Sequence, residues 1–70
     1  MNKSFNRNRI SELRAEKKIT QRQLAKEIET SQANLSRWEN GIVEPSVSEC
    51  WKLADYFDVS IDYLCGRKDY

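Results

Sequence analysis

The chain contains no histidine, one proline, two glycines and two cysteines among its 70 residues. Without histidine, imidazole acid–base chemistry is excluded, and a zinc centre would have to be assembled from both thiols plus carboxylates. Those thiols, Cys50 and Cys65, each stand alone in the sequence, so no metal and no cofactor is expected. Their plain reading is two reduced thiols acting as small hydrophobes in a cytoplasmic protein. Two glycines leave no glycine-rich phosphate loop, and the Ser and Glu residues are accounted for by helix caps and surface positions, so no enzyme is expected. No apolar run approaches the length of about 18 residues that spans a bilayer, and no secretory leader is visible. A membrane is therefore not an expected partner.

What is present is unevenly distributed charge. The formal net charge is only +1. Residues 1–41, however, carry nine basic side chains against five acidic ones, and residues 42–70 carry three against six. A near-neutral average thus hides a basic half suited to a polyanion and an acidic half. Ordinary solvated helix faces would give a similar charge count.

Punctuation along the chain predicts helices throughout, with no alternating strand pattern and no repeat. Helix 1 is expected from about residue 5 or 8 to residue 17, with Ile10 and Leu13 inward. Thr20-Gln21-Arg22-Gln23 is a capping box, a hydroxyl at the N-cap and an amide three residues on. It opens helix 2, about 21–28, whose Leu24, Ala25 and Ile28 share a face. Ser31 caps helix 3, about 32–40, which stops at Asn40-Gly41. Ser46-Val47-Ser48-Glu49 is a second capping box, opening helix 4 with a core face of Val47, Cys50, Leu53, Ala54 and Phe57. Trp51 and Tyr56 fall on its outer side, where partial packing is the usual role of such rings. Ser60 caps a short fifth helix with Ile61 and Leu64, closed by Gly66. The expected architecture is all-α, five short helices in one domain over residues 1–70, with its core within about 5–66.

Helices 2 and 3, joined by a tight turn, have the form of a helix-turn-helix. At about 100° per residue, Leu35 and Trp38 define the inner side of helix 3, with Asn34 and Glu39 at its margins. Gln32, Ala33, Ser36, Arg37 and Asn40 then project outward. A helix that needs only to be soluble usually carries Lys and Glu there; this one carries amides, a hydroxyl and one Arg. Those types suit a groove: Gln pairs with adenine, Arg with the guanine edge, and Ala meets a thymine methyl. A neutral surface helix is the bland counterpart of this reading.

The segment TQRQLAKEIETSQANLSRWENG (20–41), followed by EPS and then LADYFDVSIDYL, resembles the lambda-repressor-like, Cro-type helix-turn-helix family of bacterial and phage regulators. The resemblance covers about residues 5 to 66. It implies a five-helix domain that binds double-stranded operator DNA, usually as a homodimer, with helix 3 in the major groove. By position it gives base reading to Gln32, Ala33, Ser36 and Arg37, and backbone contact to Gln21, Arg22, Ser31, Asn34 and Asn40. It also implies an ion pair between Arg14 and Glu39, and dimer contacts at Ile61 and Tyr63; Ile42 and Val43, read from the residues themselves, are either core or an exposed apolar spot for a dimer or partner contact. Two positions depart from the family's pattern. Glu29 stands in the turn where relatives commonly have Gly, and Ile42-Val43-Glu44 follows helix 3 where relatives often have basic residues.

A small transcription regulator follows from this reading, acting in the bacterial cytoplasm and with the nucleoid when on DNA. It would be Cro-like in build or the DNA-binding part of a longer repressor. A second reading keeps the fold and changes the partner: an antirepressor or antitoxin-type protein that docks on a repressor or toxin. The near-zero net charge, Glu29 and Glu44 on the DNA side and the Ile42-Val43 pair favour it; the polar outer face of helix 3 opposes it.

Overall fold

The computed structural model describes residues 8–66; the expected start of helix 1 near residue 5 lies outside them. Five helices follow in order, α1 (Ile10–Lys17), α2 (Gln21–Glu27), α3 (Gln32–Glu39), α4 (Val47–Phe57) and α5 (Ile61–Leu64), with no strand among the described residues. Both capping boxes form: Thr20 and Gln23 open α2, and Ser46 and Glu49 open α4. Ser31 and Ser60 accept from the third residues of α3 and α5. Each hydroxyl thus satisfies one of the orphan N–H groups that begin a helix, an effect worth about 1 kcal/mol per cap.

α1 begins at Ile10, two residues after the nearer expected start. Asn8 has another task there: its Oδ1 accepts from the Ile10 N–H at 3.0 Å, and its Nδ2 donates to the Trp38 carbonyl at 3.1 Å. At the other ends, α2 stops at Glu27 and α3 at Glu39, with Ile28 and Asn40 as their C-caps.

The apolar stripes of the helices meet in one core of Ile10, Leu13, Leu24, Ala25, Ile28, Leu35, Trp38, Cys50, Leu53, Ala54, Phe57 and Leu64. Ile10, Leu24, Leu35, Leu53 and Leu64 are its fully enclosed members. Val47 is a correction to the expected core face of helix 4, being 68% exposed. It opens the first turn of α4, and at about 100° per residue it stands to one side of the stripe that Cys50, Leu53, Ala54 and Phe57 form.

Among the described residues, three other than glycine hold the left-handed conformation: Lys18, Glu29 and Asp58. Glu29 has φ 62° in the turn between α2 and α3. Backbone bonds fix it there, Glu29 N–H to the Lys26 carbonyl and Thr30 N–H to the Ala25 carbonyl at 2.8 Å. A left-handed side-chain-bearing residue costs about 1 kcal/mol relative to glycine. The ion pair of Glu29 with Lys52 of α4, 3.7 Å with a Glu29 side chain 83% exposed, returns little of that. Glu29→Gly should therefore raise the urea midpoint or leave it unchanged, despite the entropy glycine adds to the unfolded chain. A clear fall would show that the side chain of Glu29 supports the turn.

Candidate nucleic-acid interface

The outer face of α3 is built on its inner one. Leu35 and Trp38 are buried, which turns Gln32, Ala33 and Arg37 to solvent and leaves Asn34 and Ser36 half-buried beside them. Asn40, at the C-cap, is exposed. Arg37 is the one charged side chain that this face presents.

These side chains are ordered by their neighbours. Gln32 Nε2 donates to Gln21 Oε1 at 3.4 Å, and Gln21 Nε2 donates to Glu39 Oε1 at 3.0 Å. Glu39 in turn receives Arg14, through Nε at 2.8 Å and Nη2 at 3.2 Å. Arg14 Nη1 also donates to the Ile19 carbonyl at 3.1 Å, tying the α1–α2 connection into the same chain of bonds. The two-pronged arginine–carboxylate geometry is the strong form of such a pair. Only 6% of the Glu39 side chain and 22% of the Arg14 side chain are exposed, so the pair is largely out of water. The hydrogen bond to Glu39 raises the Arg14 pKa above its ordinary value, with burial opposing it.

Further along α3, Arg37 Nη1 donates to Asn34 Oδ1 at 3.2 Å, and Asn34 Nδ2 to Thr30 Oγ1 at the same distance. Asn40 Nδ2 folds back on the Ser36 carbonyl at 2.9 Å. Each bond uses part of a side chain's capacity. The guanidinium of Arg37 keeps most of its five donors for an outside partner. Arg22 and Ser31 are exposed at the openings of α2 and α3, and Gln21 is half-buried between them and the Arg14–Glu39 pair.

The four positions expected at a dimer or partner surface fall into two kinds. Ile42 is 71% and Val43 46% exposed, and with Val47 and Trp51 they are the large apolar side chains on the surface among the described residues. Ile61 and Tyr63, by contrast, pack against the core of their own chain, and the Arg9 guanidinium lies over the Tyr63 ring at 4.2 Å. Trp51 and Tyr56 also divide: Tyr56 is half-buried against Phe57, ring centroids 5.2 Å apart, while Trp51 is open. Sequence reasoning did not find the bonds of Asn8 and Gln21, which join residues distant in the chain. Val47 and Trp51, four apart on one helix, are both exposed, where the sequence pattern puts only Trp51 on the outer side.

A helix-turn-helix family model matches residues 10–64 of the chain. The chain is 34% identical over 61 residues to the HTH-type transcriptional activator BcrR of Enterococcus faecalis, covering 87% of itself and 30% of that protein. It is 42% identical over 48 residues to the cryptic phage CTXphi transcriptional repressor RstR of Vibrio cholerae, 69% of this chain and 43% of RstR. To the HTH-type transcriptional regulator ImmR of Bacillus subtilis it is 31% identical over 61 residues, covering 87% of this chain and 48% of ImmR. The chain thus spans less than half the length of these relatives. Among solved structures, the P22 c2 repressor protein in complex with a synthetic operator superposes with a TM-score of 0.82 at 28% identity, covering 97% of this chain and all of that one.

Proposed function

The chain belongs to the lambda-repressor-like helix-turn-helix family, whose members are regulators rather than enzymes, and from that premise we propose that it is a sequence-specific DNA-binding transcription regulator, Cro-like, that reads an operator with α3. The observation that carries the proposal is the polar, lightly charged face of α3, held in place by the Gln32–Gln21–Glu39–Arg14 chain of bonds. In the major groove, Gln32, Ala33, Ser36 and Arg37 read base edges, and Gln21, Arg22, Ser31, Asn34 and Asn40 hold sugar and phosphate. The superposition on an operator-bound repressor supports this assignment. A homodimer on DNA fits the fold, with Ile42 and Val43 the more available of the four expected contact positions; Ile61 and Tyr63 would contribute only their outer edges. Repression is favoured over activation by RstR and the P22 protein, and BcrR, an activator, points the other way. No helix among the described residues is long and apolar enough to cross a membrane, and the bacterial cytoplasm is the place this function requires.

One observation favours the second reading, an antirepressor or antitoxin-type protein acting on a partner repressor or toxin. The exposed Ile42, Val43, Val47 and Trp51 follow one another along the α3–α4 connection and the first turns of α4, and an apolar patch there would suit protein contact.

Selection of bound duplexes from a random pool, followed by a salt titration of the winner, separates the two. A DNA reader should enrich one motif and lose affinity with a log–log slope of about −0.9 for each phosphate that a cation neutralises. A pool that enriches nothing, together with capture of a repressor, would carry the assignment to the antagonist.

A further inference from the structure

Side chains connect the turn between α2 and α3 to the last turn of α3. Thr30, which precedes the N-cap Ser31, stands four residues before Asn34 and seven before Arg37, the spacing of one helical stripe. Arg37 Nη1 donates to Asn34 Oδ1, and Asn34 Nδ2 donates to Thr30 Oγ1, each at 3.2 Å. Thr30 is itself held. Its N–H meets the Ala25 carbonyl at 2.8 Å, and it follows Glu29, whose left-handed φ turns the chain at this point. Thr30 is half-buried, Arg37 exposed. In the DNA contacts proposed above Thr30 has no part.

We propose that Thr30 and Asn34 are positioning residues that aim Arg37 at a guanine, so that the α2–α3 turn helps to set which base α3 prefers; this rests on the reading of DNA by α3 proposed above. The order of the bonds follows from donors and acceptors. A guanidinium only donates, so it must meet the carbonyl oxygen of the Asn34 amide. The amide nitrogen then faces the other way, and the Thr30 oxygen anchors it there. Without that oxygen the Asn34 amide would turn freely, and Arg37 would be tied to a group with no fixed direction. With Nη1 engaged, Arg37 keeps Nε and Nη2, two donors suited to N7 and O6 of guanine. Asn34 Nδ2 keeps its second hydrogen for a phosphate, so aiming Arg37 and holding the backbone are compatible. The gain is entropic: a long exposed side chain already restrained gives up less rotamer freedom when it meets a base.

The test is selection by the full chain from a random duplex pool, with base preference read position by position. Arg37→Ala should lose a preference for guanine at one position. Thr30→Val, close in shape but without the hydroxyl, should weaken that same preference about two- to tenfold and change random-duplex binding much less. Thr30→Ser, which restores an oxygen there, should recover it. Asn34→Ala should show the loss at the same position, together with a uniform weakening from its phosphate contact. In an Arg37→Ala background, Thr30→Val should cost no further preference, as expected of residues that act through one another. A loss spread evenly over all positions in Thr30→Val, no recovery in Thr30→Ser, or full guanine preference in Asn34→Ala would each overturn the proposal while leaving Arg37 as a reader. An unchanged guanine preference in Arg37→Ala would instead remove Arg37 from the bases, and this proposal with it.

Discussion

Arg14→Met should destabilise the fold by about 3 kcal/mol, because it strands a carboxylate that the core has taken out of water. Glu39 is 6% exposed at its side chain and has two donors to share, Arg14 and Gln21. Losing the cation leaves one amide to hold the full charge. Since a core of this size rarely gives more than about 3–5 kcal/mol, the variant should be close to unfolded without a stabilising solute. Glu39→Gln should cost less, about 1–2 kcal/mol, because Arg14 is 22% exposed and keeps its bond to the Ile19 carbonyl. The double variant should recover part of the summed loss, as coupled neighbours do. Denaturant unfolding of the four proteins measures this cycle. Simple additivity would mean that the pair contributes nothing through its contact. The role left to the pair is orientation: it sets the angle of α3 against α1 and, through Gln21, the position of Gln32.

Arg37→Ala and Gln32→Ala should each weaken binding to the selected operator by about 1–3 kcal/mol, roughly five- to 150-fold, while changing random-duplex binding much less. The reason is geometric. Both side chains stand on the exposed side of α3 and each has one bond that fixes its direction, to Asn34 and to Gln21. A side chain already oriented loses less entropy when it meets a base edge. The measurement is a competition assay on both kinds of DNA in the same salt. Equal losses on the two would reassign these residues to the phosphate backbone.

Helix order, both capping boxes and most of the core were legible because they depend on local signals: a hydroxyl before a stripe, an amide or carboxylate three residues on, apolar spacing within one helix. Val47 was misplaced for a related reason. Val47 stands at the side of the stripe around the axis and in the opening turn along it, and periodicity does not give where the core ends in either direction. The outward set of α3 was legible once Leu35 and Trp38 fixed its inside. What the sequence did not show were the meetings between distant residues, Asn8 with Trp38, Gln21 with Glu39 and Arg9 with Tyr63. Those depend on how helices are stacked, which no single-helix pattern encodes. The Glu29 turn is intermediate: the absence of the usual glycine was visible, while its left-handed φ came only with the fold.

The contacts of Arg9 have a mechanical meaning. Its N–H donates to the Leu64 carbonyl at 2.8 Å and its Nη1 to the Tyr63 carbonyl at 2.7 Å, so the strand of chain leading into α1 is fastened directly to α5. Tension applied between residues 8 and 66 would be borne at this clasp before any helix is stretched. Beside these two bonds, the Arg9 guanidinium rests on the Tyr63 ring as a further point of hold. The first and last described residues, Asn8 and Gly66, stand one and two positions from these bonds, so a load on either meets the same few atoms.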